Sequence, residues 1–307
     1  MSGNSEKTVS SNDSKIAGTS SELEQVRGRI DAIDAQLQTL LSERANCALQ
    51  VAEVKLKEVG DPAQVQIYRP EREAQILRRV MDRNSGPLSG EALAIIFREI
   101  MSACRALEKP TEVAFLGPEG TFSHAAALKQ FGHSIVAAPQ PSIAQVFVRV
   151  ESGQCPFGVV PVENSTEGMV SLTLDRFAES PLKICGELEL RIELHLLINP
   201  HTDPKQIKRI YSHQQPLAQA RQWLDTHWPN VERVAVSSNG EAARLASENP
   251  DVAAVAGAMA AEQYGLIRLA ENIEDYSSNT TRFLVIARDE VPPSGNDKTS
   301  IVVSAHN

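Results

Sequence analysis

The chain has 307 residues, 42% of them hydrophobic and 22% charged, which suits a globular protein of about two domains. Its formal charge of −9 argues against nucleic acid or an acidic membrane as a partner. Four scattered cysteines (Cys47, Cys104, Cys155, Cys185) without a C-x-x-C pair fit a reducing cytoplasm, and no apolar run approaches the ~18 residues of a membrane span.

Residues 1–20 are rich in Ser, Asn and Lys and are expected to be a disordered extension, with no secretory signal. Leu23, Val26, Ile30, Ile33, Leu37, Leu40 and Leu41 then recur at three- and four-residue steps, as one helical face requires. The pattern continues through Val51 and Val54 to Leu56, predicting a helix of about 35 residues, roughly 50 Å long. "EVGDPA" (Glu58–Ala63) breaks it. Further helices are predicted over Glu71–Asp82 and Ser89–Leu107, and Lys109-Pro110 closes an all-α domain, residues 21–109. A first helix so long leaves part of its apolar face wet unless a second copy covers it, so a homodimer, or a larger assembly, is expected through this domain.

From Thr111 the texture changes. Short strands are predicted over Val113–Leu116, Phe157–Val160, Leu194–Ile198, Arg209–Tyr211, Ala253–Ala256 and Phe283–Ala287, alternating with helical stretches in an α/β domain spanning 111–291. "PPSGND" opens a linker, 292–298, and Thr299–Ser304 reads as the first strand of a further domain, 299–307. No His/Cys/Asp cluster has metal-ligand spacing, so neither metal nor other cofactor is expected.

Two cations stand out on the first helix. Arg44 and Lys55 are eleven residues apart, so at ~100° per residue they share a face, with Cα atoms ~16 Å apart. They could close on one small dianion. Arg27 lies ~25 Å further back along the axis, too far for the same ligand in the same chain, but placed for the mirror site of an antiparallel dimer.

"ELEQVRGRIDAIDAQLQTLLSERANCALQVAEVK", "YRPEREAQILRRV" and "IFREIMSACRALE" resemble the all-helical chorismate mutase family. The resemblance implies that Arg27 comes from the partner chain and that Arg44 and Arg72 hold the substrate carboxylates. It places Lys55 at the ether oxygen and Glu73 at the ring hydroxyl. Cys104, one turn before Glu108, is grouped with the substrate-side positions, as a small packing residue. Such a rearrangement needs a dianion held in its reactive conformer and donors where negative charge develops. Arg69 stands where the common bacterial pattern has an aspartate, and Glu108 where it has a glutamine donor. An ionised Glu cannot donate. Glu108 is therefore expected to work protonated, with mutase activity higher in mild acid than in alkali. Glu108→Gln should flatten that profile, and an unchanged profile in the variant refutes the idea.

The α/β domain carries four polar motifs, "GPEGTFS" (Gly117–Ser123), "VENSTEG" (Val162–Gly168), "YSHQQPLAQ" (Tyr211–Gln219) and "NTTRF" (Asn279–Phe283). The first lacks both nucleotide fingerprints, so its anion is read as a small carboxylate. Each motif flanks an apolar run, where α/β proteins place ligand contacts. The ordered set resembles prephenate dehydratase. That family implies two α/β lobes resembling periplasmic binding proteins, lobe one 111–191 plus 272–288 and lobe two 192–271. By the resemblance Thr281 meets the departing ring hydroxyl. Glu163 is the acid within these motifs that could supply a proton, if burial raises its pKa. Asn164, Ser165, Ser212 and Gln219 position the substrate, and Ser123 with the Gly117–Gly120 loop offers hydroxyl and N–H donors. Arg282 is a carboxylate clamp or a salt-bridging residue. His124 and His213 read as structural, and Phe283 as core.

Together the resemblances imply a bifunctional enzyme of phenylalanine biosynthesis, an isomerase and a carbon–oxygen lyase, taking chorismate to prephenate and prephenate to phenylpyruvate without a cofactor. Two other readings remain: a dehydratase whose helical domain only dimerises, and a non-catalytic solute-binding module. The resemblance implies a C-terminal ACT domain that binds phenylalanine, with which members of this family usually end. Here only its first strand is read, so this chain is expected to escape that feedback.

Overall fold

A computed structural model describes residues 10–61 and 68–301. The chain divides into two compact units, Met1–Val65 and Gln66–Asn307.

The first unit is one helix, α1 (Ser10–Val59), of 50 residues. At 1.5 Å per residue it is about 75 Å long. It starts inside the stretch expected to be disordered, so residues 10–20 are helical, and residues 1–9 lie outside the described ones. Its large apolar residues from Leu23 to Val59 are exposed, Ile30 by 51% and Leu40 by 59%. This is the wet face that the periodicity anticipates.

The second unit opens with α2 (Pro70–Asp82) and α3 (Gly90–Glu108). Pro70 stands in the first turn of α2, where its missing N–H costs nothing. Ser89 caps α3 by accepting from Ala92 N. Leu77, Ala94 and Met101 pack between the two helices. α2 and α3, which complete the expected helical domain ending at Lys109, group with the sheets in the second compact unit. Arg105 fastens them to it. It donates to Glu73 Oε2 at 2.8 Å and to the Phe131 carbonyl at 2.6 Å, and lies over the Tyr68 ring.

The remainder forms two lobes. The first holds β1 (Glu112–Leu116), α4 (Phe122–Phe131), β2 (Val136–Gln140), α5 (Ile143–Glu151), β3 (Phe157–Asn164), β4 (Gly168–Met169), α6 (Ser171–Glu179) and β5 (Lys183–Arg191). The second holds β6 (His195–Ile198), β7 (Arg209–Ser212), α7 (Gln214–Gln219), α8 (Arg221–His227), β8 (Glu232–Ala235), α9 (Asn239–Glu248), β9 (Val252–Ala256), α10 (Ala258–Tyr264) and β10 (Ile267–Ala270). The chain then returns to the first lobe as β11 (Thr280–Ala287).

The first sheet has the order β2-β1-β3-β11-β5, with β4 beside β3, and the second β10-β6-β9-β7-β8. β11 runs antiparallel between β3 and β5. Central strands are buried on both faces, as β9 (Val252–Ala256) is throughout, so they read as unbroken apolar runs. Thr299–Ile301 form no strand, and the rest of the expected terminal strand lies outside the described residues. Among the described residues, no helix is long and apolar enough to cross a membrane.

Candidate active site

The pairing of β3 with β11 places Thr281 opposite Asn164 and Arg282 opposite Glu163. Side chains alternate between the faces of a sheet. Asn164 and Thr281 therefore share one face, and Glu163 and Arg282 take the other. The first pair borders a cavity of about 320 Å³ between the two lobes. Lobe one contributes Thr121, Phe122, Ser123, Asn164, Thr281 and Phe283, and lobe two contributes His213, Gln219, Ser238 and Asn239.

The polar groups at its floor are linked in a fixed sense. Asn164 Oδ1 accepts from the backbone N–H groups of Thr166 and Glu167 at 2.9 and 3.1 Å. Its Nδ2 donates to Thr281 Oγ1 at 2.9 Å and to Asn279 Oδ1 at 3.0 Å. Asn279 Nδ2 in turn donates to Gln219 Oε1 at 3.1 Å, joining the lobes. Asn279, only 3% exposed, is a residue the sequence reading passed over. Its signal was the first letter of "NTTRF".

Among the described residues, the lining contains no Lys, Arg, Asp or Glu, and His213 is its one titratable side chain. What it offers an anion is helix N-termini from both lobes. Thr121 caps α4 by accepting from His124 N, and Ser238 caps α9 by accepting from Glu241 N. The first turn of a helix leaves N–H groups without intrahelical partners and carries partial positive charge. Phe122 and Ser123 at the start of α4, and Asn239 at the start of α9, border the cavity.

Several sequence-based assignments need correction. Glu163 is 44% exposed at the side chain and ion-paired to Arg282 at 2.8 Å, on the face away from Thr281, so it is not a cleft acid. Arg282 also meets Glu187 at 3.2 Å, which makes it a salt-bridging residue and not a carboxylate clamp. Ser212 is fully buried and donates to the Val255 carbonyl at 2.6 Å, so its hydroxyl is spent on the sheet. Ser165 accepts from Thr280 N at 2.9 Å and pins the start of β11 instead of lining the cavity. The two glycine N–H groups of the opening loop are engaged as well, Gly117 with Gln140 O and Gly120 with His124 Nδ1.

That loop has a different task. Gly120 has φ +78°, and a Cβ there would come within 3.2 Å of Ala260 Cα in lobe two. Glycine serves both the left-handed backbone and the close approach. Glu119 receives Gln263 Nε2 at 2.6 Å, so the loop bears on lobe two. His124 stacks on Phe115 at 4.8 Å, and burial holds its pKa below the ordinary histidine range. It remains neutral and accepts from Gly120, as a structural histidine. The structure thus brings Ser123, Asn164, Gln219 and Thr281 together.

Of the remaining positions, Arg27, Arg44 and Lys55 lie on the unbroken α1, where Arg44 and Lys55 share a face. Arg72 is exposed on α2, whereas Glu73 is buried. Burial raises the Glu73 pKa, opposed by Arg105 and Arg98. Its Oε2 is occupied by Arg105, so a substrate hydroxyl there must share the carboxylate. Cys104 is buried within α3, and Glu108 is its last residue.

The fold is a two-lobed α/β architecture whose cleft combines hydroxyls, amides and paired helix N-termini, a donor set able to receive a small anion. The prephenate dehydratase family pattern matches residues 113–291, and the chorismate mutase type II pattern matches residues 26–109. The chain is 56% identical over 286 residues to the bifunctional chorismate mutase/prephenate dehydratase of Stutzerimonas stutzeri, covering 93% of this chain and 78% of that one. The Pseudomonas aeruginosa enzyme of the same name is 55% identical, with the same coverage. Among solved structures, the prephenate dehydratase of Arthrobacter aurescens in complex with L-Phe superposes with a TM-score of 0.55 at 35% identity. That match covers 62% of this chain and 63% of that one. The chain belongs to the bifunctional chorismate mutase/prephenate dehydratase family.

Proposed function

We propose that this chain rearranges chorismate to prephenate and converts prephenate to phenylpyruvate in phenylalanine biosynthesis. The observation that carries the second step is Thr281 beside Asn164 in a cleft that has no carboxylate among the described residues that line it. Decarboxylation sends the C–CO2 bonding pair into the ring, and the ring hydroxyl departs as hydroxide. Prephenate dianion gives phenylpyruvate anion, CO2 and hydroxide, which balances atoms and charge. Aromatisation drives the step, and the obstacle is the poor leaving group.

Asn164 donates to Thr281 Oγ1, which leaves the threonine hydrogen for the departing oxygen. A donor aimed where charge develops lowers the barrier without transferring its proton. The helix N-termini of α4 and α9, with Ser123, hold the carboxylates. A lining without Lys or Arg suits a reaction that must release one of those carboxylates as neutral CO2.

For the first step, Arg44 and Lys55 on α1 grip the dianion. Arg44 stands four residues after Leu40, the next step of the apolar 3–4 repeat, so the seam itself carries a guanidinium. A second copy of the chain covers the exposed face of α1 and brings its Arg27 toward this site. Ile30→Glu is expected to halve the particle size in light scattering, with mutase activity lost and dehydratase activity kept. A monomeric wild type rules the pairing out.

Purified protein given chorismate, with prephenate and phenylpyruvate followed separately, tests the whole proposal. Both products are expected. Prephenate consumption alone leaves a helical domain that only dimerises, and neither conversion leaves a solute-binding module.

A further inference from the structure

We infer that Asn279 is a positioning residue that carries the hydrogen-bond polarity of the cleft from Asn164 to Gln219, so that Gln219, like Thr281, presents a hydrogen to the substrate. The inference rests on the dehydratase reading and assigns to a residue outside the substrate contacts a role in the contact made by Gln219.

The direction of the network starts from groups that have no choice. The backbone N–H groups of Thr166 and Glu167 are donors only, so the Asn164 atom they meet is its oxygen. Asn164 therefore turns its NH2 toward Thr281 Oγ1 and Asn279. The Asn279 atom that receives it is likewise the oxygen, and Ser165 and Thr166 hydroxyls converge on the same Oδ1 at 3.5 and 3.3 Å. The Asn279 NH2 then faces lobe two, where it donates to Gln219 Oε1. Gln219 has one group left, its Nε2, which is buried without a protein partner among the described residues. Gln219 borders the cavity, so that amide hydrogen is available to a carboxylate or keto oxygen.

Two amides in series thus carry the sense of two backbone N–H groups across the gap between the lobes. Both ends of the chain are hydrogens. An anionic substrate needs that sense, since a reversed Gln219 shows it a lone pair. Asn279 also spans the lobes, so the polarity is complete only when they are as close as they are here.

Asparagine is required for this because it donates with one end and accepts with the other. Aspartate has its shape but no donor. In Asn279→Asp, Gln219 can bond only by turning its Nε2 toward residue 279, which swings Oε1 into the cleft. Asn279→Ala removes the constraint and lets Gln219 adopt either sense. The expected KM for prephenate rises about tenfold in Asn279→Ala and about a hundredfold in Asn279→Asp. A role in shape alone predicts the opposite order, because aspartate fills the space that alanine empties.

The added charge of aspartate is separated by repeating both variants in a Gln219→Met background. There the two are expected to agree within about threefold, as the group that transmits the polarity is gone. A hundredfold penalty of Asn279→Asp that persists without Gln219 reports charge alone and overturns the inference, as does an Asn279→Ala variant weaker than Asn279→Asp. Mutase activity in the same samples reports folding. If the Asn279 variants do not fold, Gln219→Glu and Gln219→Met decide. Glutamate keeps the bond from Asn279 and turns an oxygen to the cleft, so it must be the weaker, and equal KM values overturn the inference. Wild-type protein that releases no phenylpyruvate sinks the dehydratase reading itself, whereas normal wild-type turnover with the wrong order of variants sinks only the role of Asn279.

Discussion

Thr281→Val is expected to abolish phenylpyruvate formation while leaving conversion of chorismate to prephenate intact. Valine has the shape of threonine and suits a strand, so β11 keeps its pairing with β3 and β5. Only the hydroxyl is lost. Removing a single donor from a developing oxyanion costs about 10²–10³ in kcat. A second cost falls on stability. Asn164 Nδ2 keeps its bond to Asn279 but loses its other acceptor, and a weakened buried donor of this kind costs about 1–3 kcal/mol. The melting temperature should drop by a few degrees while kcat collapses. Thr281→Ser separates the two, because serine returns the hydroxyl without the methyl group and should recover most of the rate. The measurement is phenylpyruvate release from saturating prephenate, with mutase turnover of the same sample as the reference. A valine variant that retains more than about a tenth of the wild-type kcat means that departure of the hydroxyl does not depend on Thr281.

The same residues show what a sequence can and cannot yield here. Within the α/β domain, every strand predicted from an apolar run, such as Val113–Leu116 and Ala253–Ala256, is interior to one of the two sheets, whereas Thr299–Ile301 of the predicted terminal strand form none. The missed strands β2, β5, β8 and β10 are the sheet edges, and β4 is a two-residue addition to β3. An edge strand keeps one side wet, so β5 reads KICGELELR and hides its alternation among charges. The site was legible as far as motifs go, and Asn164, Ser123, Gln219 and Thr281 do meet. Motifs do not reveal which face of a strand each letter takes. Glu163 and Asn164 are adjacent letters, yet the alternation of β3 sends one to Arg282 and the other to the cleft. Ser212 was misread for a related reason, since a hydroxyl beside a cleft can be consumed by a carbonyl within the sheet. Asn279 stood in the motif NTTRF, but its bridging role did not show, because it lies in contacts to residues 115 and 60 positions away.

Arg44→Ala is expected to remove mutase activity and spare the dehydratase, the reciprocal of the first result. Its physical basis is local to α1. Arg44 interrupts the apolar repeat that runs from Leu23 to Leu56, so a buried dimer seam would hold a guanidinium that needs an anion. Arginine meets a carboxylate through two parallel N–H bonds, each charge-assisted. Losing both lowers kcat/KM for chorismate by about a thousandfold, using ~1.5–3 kcal/mol for each bond to a charged group. Alanine is the strongest helix former, so α1 and any pairing through it should persist, and removing a charge from the seam should strengthen the dimer. Arg44→Lys makes the argument specific. Lysine keeps the charge but not the planar fork, so a loss close to that of alanine indicates bidentate recognition, and near-complete retention indicates a field effect alone. Chorismate disappearance, particle size and phenylpyruvate release from supplied prephenate are read on the same three proteins. An alanine variant with normal chorismate turnover would remove the seam cation from the mutase mechanism. One that loses both activities would show that α1 acts on the whole chain and does not serve the first reaction in particular.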